Sequence, residues 1–256
     1  MLLHGLEGSL HSPYAKPTLK LLADSGYQAC MMHFRGCSGE PNRLPRSYHS
    51  GDSKELQTIV THIQDSRNQD VYAIVAFSLG ANVLLKWLGE KGATAGIKRA
   101  IAISVPFLLN EAADRLDQGF SRFYQRHLLN SLKRKYVEKT RLGLVDLNID
   151  INTIHNFRQF DERVTAPLHG FAGADDYYRR CSCRQFIPGI RVPTLILHDK
   201  HDPFMWPTTI PTEQELPSEV QLELTEGGGH VGFIYGATPA RTKYWTEKRL
   251  LAWLGQ

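Results

Sequence analysis

Long apolar runs are absent from this chain: no stretch approaches the roughly 18 residues that a membrane-spanning helix needs. The N-terminus, Met-Leu-Leu-His-Gly, lacks both the charged start and the apolar core of a secretory signal. Cysteine is scarce. Four residues (Cys30, Cys37, Cys181 and Cys183) are too few to staple 256 residues together as a disulfide framework. Reduced thiols and a cytoplasmic location are therefore expected. Strong charge is missing as well: 30 Lys and Arg against 26 Asp and Glu leave +4, too weak a bias to argue for nucleic acid. There is no internal repeat and no low-complexity tract. What is left is an ordinary globular composition, 42% apolar and 22% charged, long enough for one large α/β domain or two small ones.

Helical and strand patterns alternate along the chain. Helices are expected over 13–25, 52–66, 79–89 and 239–254, and strands over 28–34, 71–77, 98–104, 191–198 and 220–225. In the second helix Leu56, Ile59, Val60 and Ile63 recur at three and four, and Asp52 and Ser53 are placed to cap it. Continuous apolar strands between helices predict a mostly parallel sheet flanked by helices on both faces. The pattern breaks over 105–189, which is helix-like, polar and rich in aromatics. We read the whole chain, 1–256, as a single domain with 105–189 as a helical cap insertion.

The stretch "VYAIVAFSLGANVLLKWLGE" holds the sharpest chemical signal. A β-branched apolar run stops at Ala76-Phe77-Ser78-Leu79-Gly80 and a helix begins at once. A serine at such a strand–turn–helix junction has its hydroxyl projected above the sheet by a strained backbone. The usual form is G-x-S-x-G, and here Ala76 replaces the first glycine. On the pentapeptide alone, a nucleophile and a simple helix cap are equally good readings of Ser78. The rest of the chain decides between them. A serine nucleophile needs a base, and the base an orienting carboxylate, in the chain order Ser, Asp or Glu, His. Only His230, in "LTEGGGHVGF", follows the last predicted strand. "VPTLILHDKHDPF" offers Asp199 and Asp202. Asp202 is preferred because it lies past the strand end, where a loop aims it at His230; Asp199 suits a turn. The same segment packs His198, Asp199, His201 and Asp202 into five residues, but ligands so close in sequence rarely converge on one ion and no second cluster exists. No metal and no cofactor are expected. "HGLEGS", residues 4–9, supplies an oxyanion loop: the backbone N–H of Leu6 and that of Leu79 are the candidate donors.

With these residues in place, the chain resembles the YheT-like branch of the α/β-hydrolase superfamily (AB hydrolase family four), whose members are described as esterases. The resemblance runs through "HGLEGS", "HFRGCSGEPN", "YHSGD", "FSLGANVLL", "GFSRFYQRHLLNSLK", "FDERVTAP", "DYYRRCS", "PTLILHDKHDPFM" and "GGGHVGF". It implies an α/β-hydrolase fold, a Ser78–Asp202–His230 charge relay and carboxylic ester hydrolysis. It also favours Asp202, since the family's acid precedes a Pro-Phe pair, here Pro203-Phe204. The family usually has glycine in place of Ala76, and its chains begin well upstream of the HG loop. Early N-terminal strands are accordingly expected to be missing here, leaving the oxyanion loop poorly anchored.

Other features carry weaker signals. "HFRGCSGEPNR" reads as a structural loop held by Arg35, with a pocket-lining role for Arg35 or Cys37 as the alternative. Cys181 and Cys183 read as free thiols. Residues 122–141 carry seven Lys and Arg against one acid, Glu138, interleaved with Phe123, Tyr124, Leu128, Leu129 and Leu132. A solvated helix face over the core is the plainer reading; a weak peripheral contact with anionic lipid is the alternative. No nucleic-acid motif accompanies the charge, and nothing in the chain sets an oligomeric state. The expected activity is that of a serine esterase acting on small-molecule esters with short, medium or lipid-like acyl groups. A thioesterase or acyltransferase on the same triad is one alternative. A truncated, non-catalytic binding protein is the other.

Overall fold

The computed structural model describes residues 1–235 and 243–255. Six strands form one parallel sheet: β1 (Leu2–Leu3), β2 (Met31–Met32), β3 (Ala73–Phe77), β4 (Arg99–Ile103), β5 (Thr194–Asp199) and β6 (Val220–Thr225), in the order β2-β1-β3-β4-β5-β6. The alternation expected of a sheet covered on both sides is literal. Leu3, Ile74, Ala76, Ala100, Ala102 and Ile196 face one apolar cluster, and Leu2, Val75, Phe77, Ile101, Leu195 and Leu197 face the other. The first cluster is closed by α2 (Ser53–Arg67) and α3 (Leu79–Lys91), the second by α1 (Ala15–Asp24) and α9 (Trp245–Leu254). Helix α3 is buried without a break from Leu79 to Leu88, as a helix must be when elements pack on every side. A short antiparallel ribbon, β7 (Ile234–Tyr235) with β8 (Lys243–Tyr244), precedes α9.

Several boundaries differ from those expected. The strand over 28–34 shrinks to two residues. Asp199 is the last residue of β5, not the residue after it, and the closing helix begins at Trp245. The part of that expected helix over 239–242 lies outside the described residues. Asp52 occupies the N-cap position of α2 without capping it; its carboxylate takes both bonds from the Arg46 guanidinium, at 2.9 and 2.8 Å. An ion pair with a guanidinium outcompetes a cap bond to a neutral amide.

Between β4 and β5 the chain runs through α4 (Leu109–Leu116), α5 (Ser121–Arg141), α6 (Phe157–Phe160), α7 (Ala166–His169) and α8 (Ala174–Cys181). Their buried residues make a third apolar cluster, separate from the two sheet faces. Asn82, fully buried on α3, anchors this region: its amide donates to the carbonyls of Ser50 and Cys181 and accepts from the Cys183 N–H. A π-helical turn, Asp161–Thr165, joins α6 to α7.

Candidate active site

Ser78 sits at the turn from β3 into α3 with φ 51° and ψ −119°. An L-residue held there stores strain of about 1–3 kcal/mol, sustained only because its surroundings fix it. The Ser78 N–H is tied to the carbonyl of Ile103 at 2.8 Å, and its own carbonyl accepts the Asn82 N–H at the start of the helix. Close approach of β1 to α3 explains the glycine that is kept. A Cβ on Gly80 would lie 2.5 Å from the His4 carbonyl oxygen. Ala76, by contrast, points into the sheet core, paired with Leu3 and Ala102, and is fully buried. The methyl group that departs from the usual motif has a place to go.

The two partners come from loops after β5 and β6. Nδ1 of His230 lies 2.8 Å from Oδ2 of Asp202, and Nε2 lies 2.9 Å from Oγ of Ser78. With Nδ1–H donating to the carboxylate, Nε2 is free to accept from the serine hydroxyl. Asp202 is buried, and its other oxygen accepts the Phe204 N–H at 2.8 Å. The Phe204 ring stacks on the imidazole, centroids 3.8 Å apart and 11° from parallel. Asp199 does something else. One of its oxygens accepts from the Thr225 hydroxyl and the Gly228 N–H, the other from the His201 N–H. Desolvation raises its pKa, but these bonds outweigh burial and hold it below the ordinary carboxylate value. Asp199 therefore fastens the glycine loop that carries His230. Ser104, at the end of β4, fastens it from below: its hydroxyl accepts the Val231 N–H at 3.0 Å. Val231 and Phe233 both have positive φ, so His230 rides on a tightly wound turn. Nothing in the sequence marks Ser104, which looks like any strand-end serine.

The loop over 4–9, the candidate oxyanion loop, is well anchored, contrary to expectation. His4 is fully buried; its Nε2 accepts the Phe34 N–H, and its Nδ1 lies 2.7 Å from the Gly5 carbonyl. Burial lowers its pKa to about 4, so the ring is neutral and braces the loop. The Gly5 N–H donates to the Tyr14 hydroxyl. Glu7 follows with φ 55°. Its N–H donates to the Tyr48 hydroxyl at 2.8 Å, and its carboxylate accepts from Tyr48, Ser131 and Lys135. Sequence reading missed this network because Tyr48 and α5 lie 41 or more residues away. Leu6 and Leu79 both line the cavity in front of Ser78. As the first residue of α3, Leu79 has an N–H with no intrahelical acceptor.

That cavity has a volume of about 380 Å³. Ser78, His230 and Phe204 line it, with apolar side chains of the region between β4 and β5, among them Leu109, Leu116, Leu132, Phe160 and Leu168. Glu7, Tyr48 and Lys135 add polar lining, and Arg35 and Cys37 also line it. Arg35 pairs with Glu55 at 2.6 Å, so it serves the loop and the lining together. Asp161, on the π-helical turn, accepts from Thr165 and Tyr178; desolvation raises its pKa to about 6. The ligand-type residues of 198–202 do not converge: His198 packs against Phe107, Asp199 holds the loop and Asp202 meets His230. Among the described residues, no group of three or more His, Cys, Asp or Glu side chains is placed to hold a metal.

Comparison with known proteins follows the same line. Residues 1–237 match a family described by its alpha/beta hydrolase fold. The chain is 42% identical over 254 residues to YheT of Escherichia coli, covering 98% of this chain and 74% of that one. It is 30% identical over 246 residues to monoacylglycerol lipase of Saccharomyces cerevisiae, covering 91% of this chain and 54% of that one. Among solved structures, the esterase Pf2001 of Pyrococcus furiosus superposes with a TM-score of 0.61 over 99% of this chain and 78% of that chain; at 16% identity this is a likeness of fold.

Proposed function

The chain belongs to the alpha/beta hydrolase fold family, and from that membership we propose that it is a serine hydrolase that cleaves carboxylic esters. One observation carries the reading: His230 bridges Ser78 and Asp202 at 2.9 and 2.8 Å, and Ser78 and His230 line a mostly apolar cavity. Ser78 Oγ attacks the ester carbonyl carbon while His230 Nε2 takes its proton. Asp202 holds the imidazole in the tautomer this requires and stabilises the imidazolium that forms. The N–H groups of Leu6 and Leu79 receive the developing oxyanion. His230 then returns the proton to the departing alcohol, leaving an acyl-serine. A water molecule, deprotonated by His230, releases the acid and restores the hydroxyl. The residue set asks for no cofactor.

In this reading the helices between β4 and β5, within the single domain 1–256, act as a cap, and their apolar wall takes the acyl group. Medium-length or lipid-like acyl esters fit that wall better than short ones. The names of the yeast lipase and the archaeal esterase are consistent with ester chemistry on this scaffold. Free thiols fit a reducing, cytoplasmic compartment. The test is labelling of the purified protein by a fluorophosphonate probe, with Ser78→Ala as the control, followed by turnover of p-nitrophenyl esters of increasing chain length. Labelling that vanishes in the variant, with turnover peaking at medium chains, is expected. A Ser78→Ala protein that keeps full esterase activity overturns the mechanism, and preference for acyl thioesters over oxygen esters replaces the substrate class.

A further inference from the structure

Helix α5 is 21 residues long, about 30 Å, and its two faces are differently built. Gln125, Leu129, Tyr136 and Lys139 point inward and are buried. The outward stripe runs Phe123, His127, Asn130, Arg134, Val137 and Arg141, at steps of four and three, and every one of these is exposed. Exposed apolar residues gather on this helix and at its two ends. Of nine exposed large hydrophobic residues in the described structure, five fall between Phe120 and Leu142, including Phe120 at 75% and Phe123 at 69% exposure. A folded chain rarely leaves two phenylalanines that open to water without a use for them. They are not isolated, either: Phe120, Phe123 and Tyr124 pack ring against ring at 5.8 to 6.4 Å.

The charge around them is mostly basic, with Asp117, which accepts from Gln125, as the acid at this end. Arg122, Arg126, Arg134 and Arg141 are exposed, and none forms a salt bridge among the described residues. Glu138 is the only acid on the helix. The cluster is also joined to the active site. The Tyr124 ring lies 5.1 Å from Phe204, which stacks on His230, and the Ser121 hydroxyl donates to the Pro203 carbonyl at 2.6 Å. Exposed aromatics, two of the unpaired arginines (Arg122 and Arg126) and proximity to His230 occur together at the N-terminal end of one helix.

We propose that the outer face of α5 docks on an anionic lipid surface, with Phe120 and Phe123 entering the headgroup region and the arginines facing lipid phosphates. Docked in this way, the N-terminal end of α5 brings the part of the cavity lined by Phe204 close to esters carried in the surface. Aromatic rings at the headgroup level and basic residues beside them are the chemistry that such a surface selects. A neutral surface satisfies the rings and leaves the arginines without partners, so the preference is for negative charge. The proposal rests on the ester-hydrolase reading only for what the surface delivers; docking itself involves no bond breaking.

The experiment measures binding of the full chain, as its Ser78→Ala form to prevent turnover, to extruded vesicles of phosphatidylcholine alone and of equimolar phosphatidylcholine and phosphatidylglycerol. Co-sedimentation with the anionic vesicles and not the neutral ones is expected, weakening as salt is raised. The pair Arg122→Gln and Arg126→Gln should lower anionic-vesicle affinity about 25-fold, roughly fivefold per charge. The pair Phe120→Ser and Phe123→Ser should lower it by a similar factor. On the Ser78 background, both pairs should leave turnover of a soluble short-chain ester unchanged, which also shows that they fold. Equal binding to both vesicle types, no binding, or variants that bind like the parent overturns the proposal. So does concentration-dependent self-association that the phenylalanine pair abolishes, since a second copy then covers the face. Failure of the Ser78 protein itself to take the fluorophosphonate label, with vesicle binding intact, strikes the catalytic reading and leaves the docking surface standing.

Discussion

Removing one hydroxyl, that of Tyr48, tests how the oxyanion loop is held. The hydroxyl accepts the Glu7 N–H and donates to the Glu7 carboxylate, both at 2.8 Å. Burial, with the nearby Glu7 charge, pushes the phenol well above its ordinary pKa, so it keeps the proton this double role requires. Tyr48→Phe leaves a partly buried N–H without its acceptor, a loss of about 1 kcal/mol. It also removes the tie that keeps Glu7 in a left-handed conformation, itself a strain of about 1–3 kcal/mol that the loop is then free to release. As the loop relaxes, the neighbouring Leu6 N–H moves off the oxyanion position. Loss of a whole oxyanion donor lowers kcat about 100- to 1,000-fold. A displaced donor should lower it less, and we expect a fall of about 10- to 100-fold, with KM within about twofold, because the bond matters in the transition state and not in the bound ester. The assay is steady-state hydrolysis of p-nitrophenyl butyrate, paired with thermal unfolding. A Tm that falls with kcat intact would show that the network is scaffolding only. A KM that rises at constant kcat would make Glu7 and Tyr48 substrate-binding groups and refute the positioning argument.

Three further outcomes follow from the geometry. Gly80→Ala should destabilise the protein by about 1–3 kcal/mol and abolish activity, because its Cβ meets backbone at the His4 carbonyl; Ala76→Gly should restore the usual motif at about 1 kcal/mol of stability with kcat unchanged, both read by denaturant titration and turnover. Asp202→Asn should lower kcat about 10,000-fold with the fold intact, whereas Asp199→Asn, which loosens the loop, should lower both stability and kcat by smaller amounts. Asp161 should set a pH dependence of stability: its folded pKa of about 6 lies above the ordinary 3.8, so the native state holds the proton longer than the unfolded chain. Stability should then fall as pH rises from about 4 to about 6, by roughly 3 kcal/mol in all, and Asp161→Asn should flatten that slope in urea titrations.

Local periodicity carried most of the fold. Buried strands such as β3, apolar throughout, and β5, with its apolar run Leu195–Leu197, are bounded by turn residues, so they were legible. The same reading put forward Ser78, Asp202 and His230 by their order along the chain, and His230 does lie within hydrogen-bonding distance of the other two. Interactions that depend on distant partners were not legible. Asp52 was read as a cap because α2 follows it, but Arg46 claims the carboxylate. Strand β2 was read as seven residues from its composition, but only Met31 and Met32 find a partner, in the equally short β1. On α5 the interleaved apolar residues were read together. In the structure Leu128, Leu129 and Leu132 turn in while Phe123 turns out, a division set by what α5 packs against. Ser104, Tyr48 and Phe204 act through loops from three different strand ends, and no local pattern announces such a convergence.

The line from Ser78 to His230 also spans 152 residues of chain. During synthesis, at about 5–20 residues per second, Ser78 emerges roughly 8–30 s before His230. On the proposed mechanism, the nascent protein carries until then an ordinary alcohol with no base beside it, and its reactivity switches on only when the loop carrying His230 has docked. Labelling of Ser78 would therefore serve as a clock for the last step of folding.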